Sequence, residues 1–85
     1  MNYPKVHSAK ALDRHTLLIE FDNNEKKLYD VAPLLSREMF APLKNYSLFR
    51  NVQVDPHGYA VFWNEDIDLS EFELWQNGVQ IVAKT

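Results

Sequence analysis

Three stretches of this 85-residue sequence predict a single α+β domain. In "TLLIEF" (16–21), Leu17, Ile19 and Phe21 alternate with Leu18 and Glu20, the two-residue period of a strand with one face on a core. Pro33 and Pro42 lie close enough to forbid one long helix through the middle of the chain, because a proline inside a helix removes a backbone donor and clashes with the preceding turn. Ser70-Glu71-Phe72-Glu73 carries the S-x-x-E pattern that opens a helix. The expected architecture is an antiparallel three-stranded meander plus a second β-hairpin, with short helices packed on the sheet and a capped C-terminal helix.

The meander begins with "KVHSAKAL" (5–12), breaks at Asp13-Arg14-His15, and continues through 16–21. "DNNE" (22–25) is a turn signal, since asparagine tolerates the left-handed backbone of a two-residue hairpin loop, and "KKLYDV" (26–31) makes the third strand. In the middle, Asp30 is placed to cap a turn containing Pro33, Pro42 to open a second turn, and Ser47 to cap a third over Leu48 to Asn51. Leu34, Leu35, Met39, Phe40, Leu43, Leu48 and Phe49 supply the apolar face laid over the sheet. Asp55-Pro56-His57-Gly58 is a tight turn, with Pro setting φ and Gly taking the left-handed position, so Val52 and Val54 return against Tyr59, Val61 and Trp63. That makes five strands. Leu69 and Leu74 have the spacing of a hydrophobic staple around the Ser70 cap, and Asn77-Gly78 stops the helix.

Composition bounds the function. A chain of this length has material for one core, so residues 1–85 are taken as one domain. Apolar content of 46%, with two Trp, four Tyr and five Phe but only two Gly, is that of a folding chain. Without cysteine there is no disulfide and no thiolate chemistry, which fits a cytoplasmic setting. No apolar stretch approaches the ~20 residues of a membrane span. A net charge of −3 with scattered basic residues argues against direct nucleic-acid binding, because a phosphate-binding face needs concentrated Lys and Arg.

No catalytic residue, cofactor site or metal site is assigned. His7, His15 and His57 fall on separate segments without metal-ligand spacing, and there is no phosphate loop or nucleophile elbow. The acidic stretch "NEDIDLSE" (64–71) is explained first by the helix start: Asp68, Glu71 and Glu73 sit where the positive end of a helix favours carboxylates. Asp66 and Asp68 together fall short of the ligands a calcium ion takes. Core packing is the first reading of Trp63 and Trp75. The second makes them, with Glu65, Asp66 and Asp68, the contact residues of a protein interface. The rival reading is a small-ligand or hydrolytic site grouping His57, Asp55 and Asp66 in one pocket.

The order of signatures resembles the domain of unknown function family 2442 of small bacterial proteins over roughly residues 5–78. Asp30, Pro33, Leu34 and Leu35 match a "D-x-x-PLL" element; Phe49, Val52, Val54 and Asp55 follow, and then Trp63, Asp68, Leu69 and Leu74. Asn23-Asn24 stands where many relatives have Asp-Gly, and the tail 79–85 is an extra strand candidate outside the pattern. The resemblance implies the fold but no catalytic residues. It also implies a regulatory or partner role: some relatives are fused to a helix-turn-helix, and some are encoded beside another small protein as in a toxin–antitoxin pair. The 85 residues leave no room for an appended helix-turn-helix, so DNA reading would come through a partner. The expected function is therefore a non-catalytic protein–protein interaction or regulatory module, antitoxin-like, whose partner is another small protein or a second copy of the chain.

Overall fold

A computed structural model describes residues 3–81. Strands β1 (Val6–Ala11), β2 (Thr16–Phe21) and β3 (Lys26–Asp30) form the expected antiparallel meander. Leu17, Ile19 and Phe21 are all but inaccessible on its inner face, beside Val6 and Tyr29. Full burial of such side chains contributes about 1.5–3 kcal/mol each, which is what fixes the register. The β2–β3 loop is longer than the two residues expected. Phe21 N–H donates to Glu25 O at 2.9 Å, leaving Asp22, Asn23 and Asn24 as a three-residue loop in which Asn24 takes the left-handed conformation at φ 71°. A turn ending in a left-handed residue absorbs the extra position as a bulge.

After β3 the chain makes a 3-10 turn, Ala32–Leu34, with Pro33 inside it and Asp30 Oδ1 accepting from Ala32 N–H at 2.9 Å. A second 3-10 helix, Glu38–Lys44, runs through Pro42 instead of opening at it. One of its turns is closed by Phe40 N–H on Arg37 O and a later one by Asn45 N–H on Pro42 O, so the donor that proline lacks falls between them. Helix α1 (Tyr46–Phe49) starts earlier than expected and is capped by Asn45, whose Oδ1 accepts from Ser47 N–H at 2.9 Å; Ser47 is a helical residue and not the cap. Asn45 is the better cap here because its backbone is extended and its side-chain oxygen reaches the second N–H of the turn.

The return hairpin carries one more strand than expected. Strands β4 (Gln53–Val54), β5 (Ala60–Asn64) and β6 (Ile67–Ser70) form a three-stranded sheet. Residues 67–70 pass from strand to helix without a loop: Ile67 and Leu69 are buried while Asp68 and Ser70 face outward. Gly58 has φ +75° and donates its N–H to Asp55 O, closing the turn. A Cβ there would sit 2.8 Å from both Lys5 Cβ and Val6 O, so the close approach of β1 to this turn requires glycine as much as the φ does.

Helix α2 (Glu71–Asn77) begins at the predicted Ser70 cap, whose hydroxyl accepts from Glu73 N–H at 3.1 Å. The reciprocal half of the capping box is not made. Glu73 Oε2 instead accepts from the Tyr29 hydroxyl at 2.7 Å and from Asn77 Nδ2 at 2.9 Å, tying the helix to β3. Gly78 ends the helix with extended backbone, and a Cβ there would meet Leu74 O and Lys27 Cβ, so the close approach requires glycine. Strand β7 (Val79–Gln80) then pairs with β3, giving the sheet order β1-β2-β3-β7. This is the extra strand expected of the tail; positions 82–85, like 1–2, lie outside the described residues. Side chains from both sheets, α1, α2 and the 3-10 segment meet in one core. No described helix is long and apolar enough to cross a membrane.

Candidate functional site

Among the described residues a concave surface lies on each of the two sheets. The first is a shallow groove of about 380 Å³ on the outer face of the second sheet, lined by Asp55, Ala60, Phe62, Asn64, Glu65 and Asp68. Strand alternation builds it. Val61 and Trp63 point into the core, so Ala60, Phe62 and Asn64 point out, and the cross-strand partner of Phe62 on β6 is Asp68. Phe62 is a half-buried aromatic on a solvent-facing surface, between carboxylates from three different segments. Asn64 Oδ1 accepts from the N–H groups of Asp66 and Ile67 and holds the turn that presents Glu65.

Of the residues expected at an interface, Glu65 and Asp68 line this groove and Asp66 stands exposed in the same turn. Trp63 belongs to the core instead. It is 7% exposed, its indole N–H donates to Phe49 O at 2.8 Å, and its ring stacks on Phe49. Trp75 packs elsewhere, in a T-shaped contact with Phe21 and with the Lys27 ammonium 3.9 Å from its ring centre, so its contacts are with the first sheet.

The grouping of His57, Asp55 and Asp66 in one pocket is not formed. Asp55 Oδ2 is taken up by the His57 backbone N–H at 2.8 Å, the imidazole lies against Tyr59 at the exposed tip of the turn, and neither His57 nor Asp66 lines either concavity.

The second concavity is a cleft of about 560 Å³ at the edge of β3. Strand β7 reaches only Lys27 and Leu28, so beyond Leu28 the edge of β3 opens between the last turn of α2 and the Pro33 turn. Its apolar lining is Leu28, Pro33, Leu34 and Val79, and its polar lining is Thr16, Tyr29, Asp30, Glu73 and Asn77. Tyr29 is buried; burial first, and then the hydrogen bond to Glu73, hold its phenol well above the ordinary tyrosine range. It is a neutral donor at physiological pH. His15 Nδ1 lies 2.9 Å from Asp30 Oδ1, and a carboxylate can only accept, so the imidazole donates.

Sequence reasoning missed Phe62 and the whole β3 cleft. The signal for Phe62 was present as an aromatic out of phase with Val61 and Trp63. The cleft had none, because Glu73 was accounted for as a capping residue and its contact with Tyr29 spans 44 positions. No group of three or more His, Asp or Glu suited to a metal ion occurs among the described residues.

No curated protein and no solved structure matches this chain. A family model does: that of the Protein of unknown function (DUF2442) matches residues 6–80, from the first strand to the last. The Asp30-Pro33-Leu34 element at the β3 cleft and the Trp63-Asp68-Leu69 run beneath and beside the groove thus sit within the match, and the chain belongs to the DUF2442 family.

Proposed function

We propose that this domain is a non-catalytic protein–protein interaction module, the regulatory or antitoxin-like member of a small protein pair, and that it receives its partner on the groove around Phe62. The observation that carries this reading is an aromatic floor on an outward sheet face, rimmed by Asp55, Glu65 and Asp68. Apolar floors with polar rims are how interfaces combine affinity with orientation. The rim selects the partner's chemistry: a basic, amphipathic segment that places an apolar side chain on Phe62 and Lys or Arg among the carboxylates. β4, only two residues long, borders the same face and leaves a short sheet edge beside the groove. Net charge of −3 supports a protein over a nucleic acid as the direct partner, and the cysteine-free composition supports a cytoplasmic one.

Affinity capture of the tagged chain from its host at low and moderate salt, with bound proteins identified by mass, tests this. A stoichiometric basic partner is expected with the wild-type chain. It should be lost from Phe62→Asp and weakened in a salt-dependent way by combined Asp55→Asn, Glu65→Gln and Asp68→Asn. A partner retained equally by all variants, or a monomer that captures nothing at either salt, ends the proposal.

A further inference from the structure

The β3 cleft is separate from the partner groove and has the size and lining of a small-ligand site: within the usual 300–1,000 Å³ range, mostly apolar, with a few convergent polar groups. Hydrogen-bond accounting over its polar lining narrows the ligand. Tyr29 has one hydroxyl hydrogen and gives it to Glu73 Oε2, which also takes a hydrogen from Asn77. Asp30 Oδ1 takes the N–H of Ala32 and the ring N–H of His15. Among the described residues nothing donates to Glu73 Oε1 or Asp30 Oδ2; the Thr16 hydroxyl hydrogen and the second Asn77 N–H are also free, so the charged groups left for a guest are two carboxylate oxygens beside neutral donors.

Among the described residues no Lys or Arg lines the cleft. Lys27, next along β3, has its ammonium on the Trp75 ring and carbonyl, and Arg37 reaches Tyr29 only through its field. An anionic guest would face two carboxylates with no cation of the described lining to offset them. A guest with several N–H donors and a positive charge would match them with charge-assisted bonds.

We infer that the β3 cleft binds a small organic cation, a primary ammonium on an apolar body, with the ammonium between Asp30 and Glu73 and the body against Leu28, Pro33, Leu34 and Val79. The buried Tyr29 hydroxyl orients Glu73 for this, as a positioning residue, by fixing one carboxylate oxygen and leaving the other turned to the guest. The same ammonium chemistry is offered by a free amine and by a lysine side chain of another protein.

Amide NMR titration of the full chain separates these cases, using tryptamine, its acid counterpart indole-3-propionate, and acetyl-Leu-Lys-Leu-amide. Saturable shifts with tryptamine are expected at Leu28, Asp30, Asn77 and Val79, with indole-3-propionate at least about tenfold weaker. Glu73→Gln, which keeps an acceptor for Tyr29, and Asp30→Asn should each weaken tryptamine about tenfold. Because both touch structural hydrogen bonds, Thr16→Lys is the companion variant: at a half-exposed strand position it seats an ammonium in the cleft from the chain itself, and should abolish tryptamine binding in a folded protein.

Tighter binding of tryptamine than of the tripeptide assigns the site to a free amine, and the reverse assigns it to a lysine presented by a partner chain. Indole-3-propionate binding as well as tryptamine, undiminished binding in a folded Thr16→Lys variant, shifts centred on Phe62 and Asp68, or no saturable shift with either cation overturns the inference.

Discussion

At the scale of single residues, Tyr29 links the fold to the cleft. It is paired with Leu17 across β2–β3, buried in the core, and reaches α2 through its hydroxyl. Its folded phenol is held above the ordinary value, so the sign of its pH dependence follows directly. Below about pH 10 the phenol is neutral in both folded and unfolded chains and the stabilisation is fully present. As pH rises beyond that, the unfolded chain releases the proton while the folded one retains it, and stability is lost until the folded group itself ionises. Urea unfolding at pH 8 and near pH 11 should therefore show a loss of stability in the wild type that is smaller in Tyr29→Phe. Equal losses in the two proteins would mean that Tyr29 is not the group responsible.

At the scale of elements, α1 shows how a cap is chosen by geometry among chemically suitable neighbours. Asn45 and Ser47 are both good capping residue types, and they lie two apart at the end of a proline-interrupted segment. The 3-10 helix before them carries the chain to Asn45 in extended backbone, and the helix starts there. Asn45→Ala should cost about 1 kcal/mol in chemical denaturation, whereas Ser47→Ala should stay within about 0.5 kcal/mol. The opposite order would place the cap at Ser47. For α2 the sequence was sufficient to find the start, since Ser70 has a cap's backbone and Glu73 N–H meets its hydroxyl. It was insufficient for the Glu73 side chain, because a tertiary partner, Tyr29, offers a donor in a partly buried setting where the bond is stronger than at an exposed helix end.

At the scale of the whole molecule, two small sheets share one core. Trp63 of the second sheet stacks on Phe49 and bonds its carbonyl, while Trp75 reports on the first sheet through Phe21 and Lys27. Trp63→Phe leaves the Phe49 carbonyl without that donor, a cost of about 1–3 kcal/mol, or several degrees in midpoint for a domain this small. Trp75 fluorescence and far-UV circular dichroism should fall together at the lowered midpoint. Separate transitions would show two cores instead of one. Among the described residues the common core also leaves an outward concavity on each of the two sheets.

The sequence by itself determined the local and periodic features: the meander from the alternation of 16–21, the Asp55–Gly58 turn, the Ser70 cap and the family membership over residues 6–80. These are set by contacts within a few residues or by a strict two-residue period, and both can be read along a chain. Only the tertiary structure decided that residues 67–70 form a strand, that Trp63 is core and Phe62 is surface, and that Tyr29 meets Glu73 at an opened strand edge. The acidic run 64–71 looked like a turn leading into a helix because its β pairing with β5 is supplied by the folded sheet, not by its own propensity. The cleft was hidden for a related reason: its walls come from β2, β3, the Pro33 turn, α2 and β7, and a cavity exists only where such distant segments fail to fill the space between them.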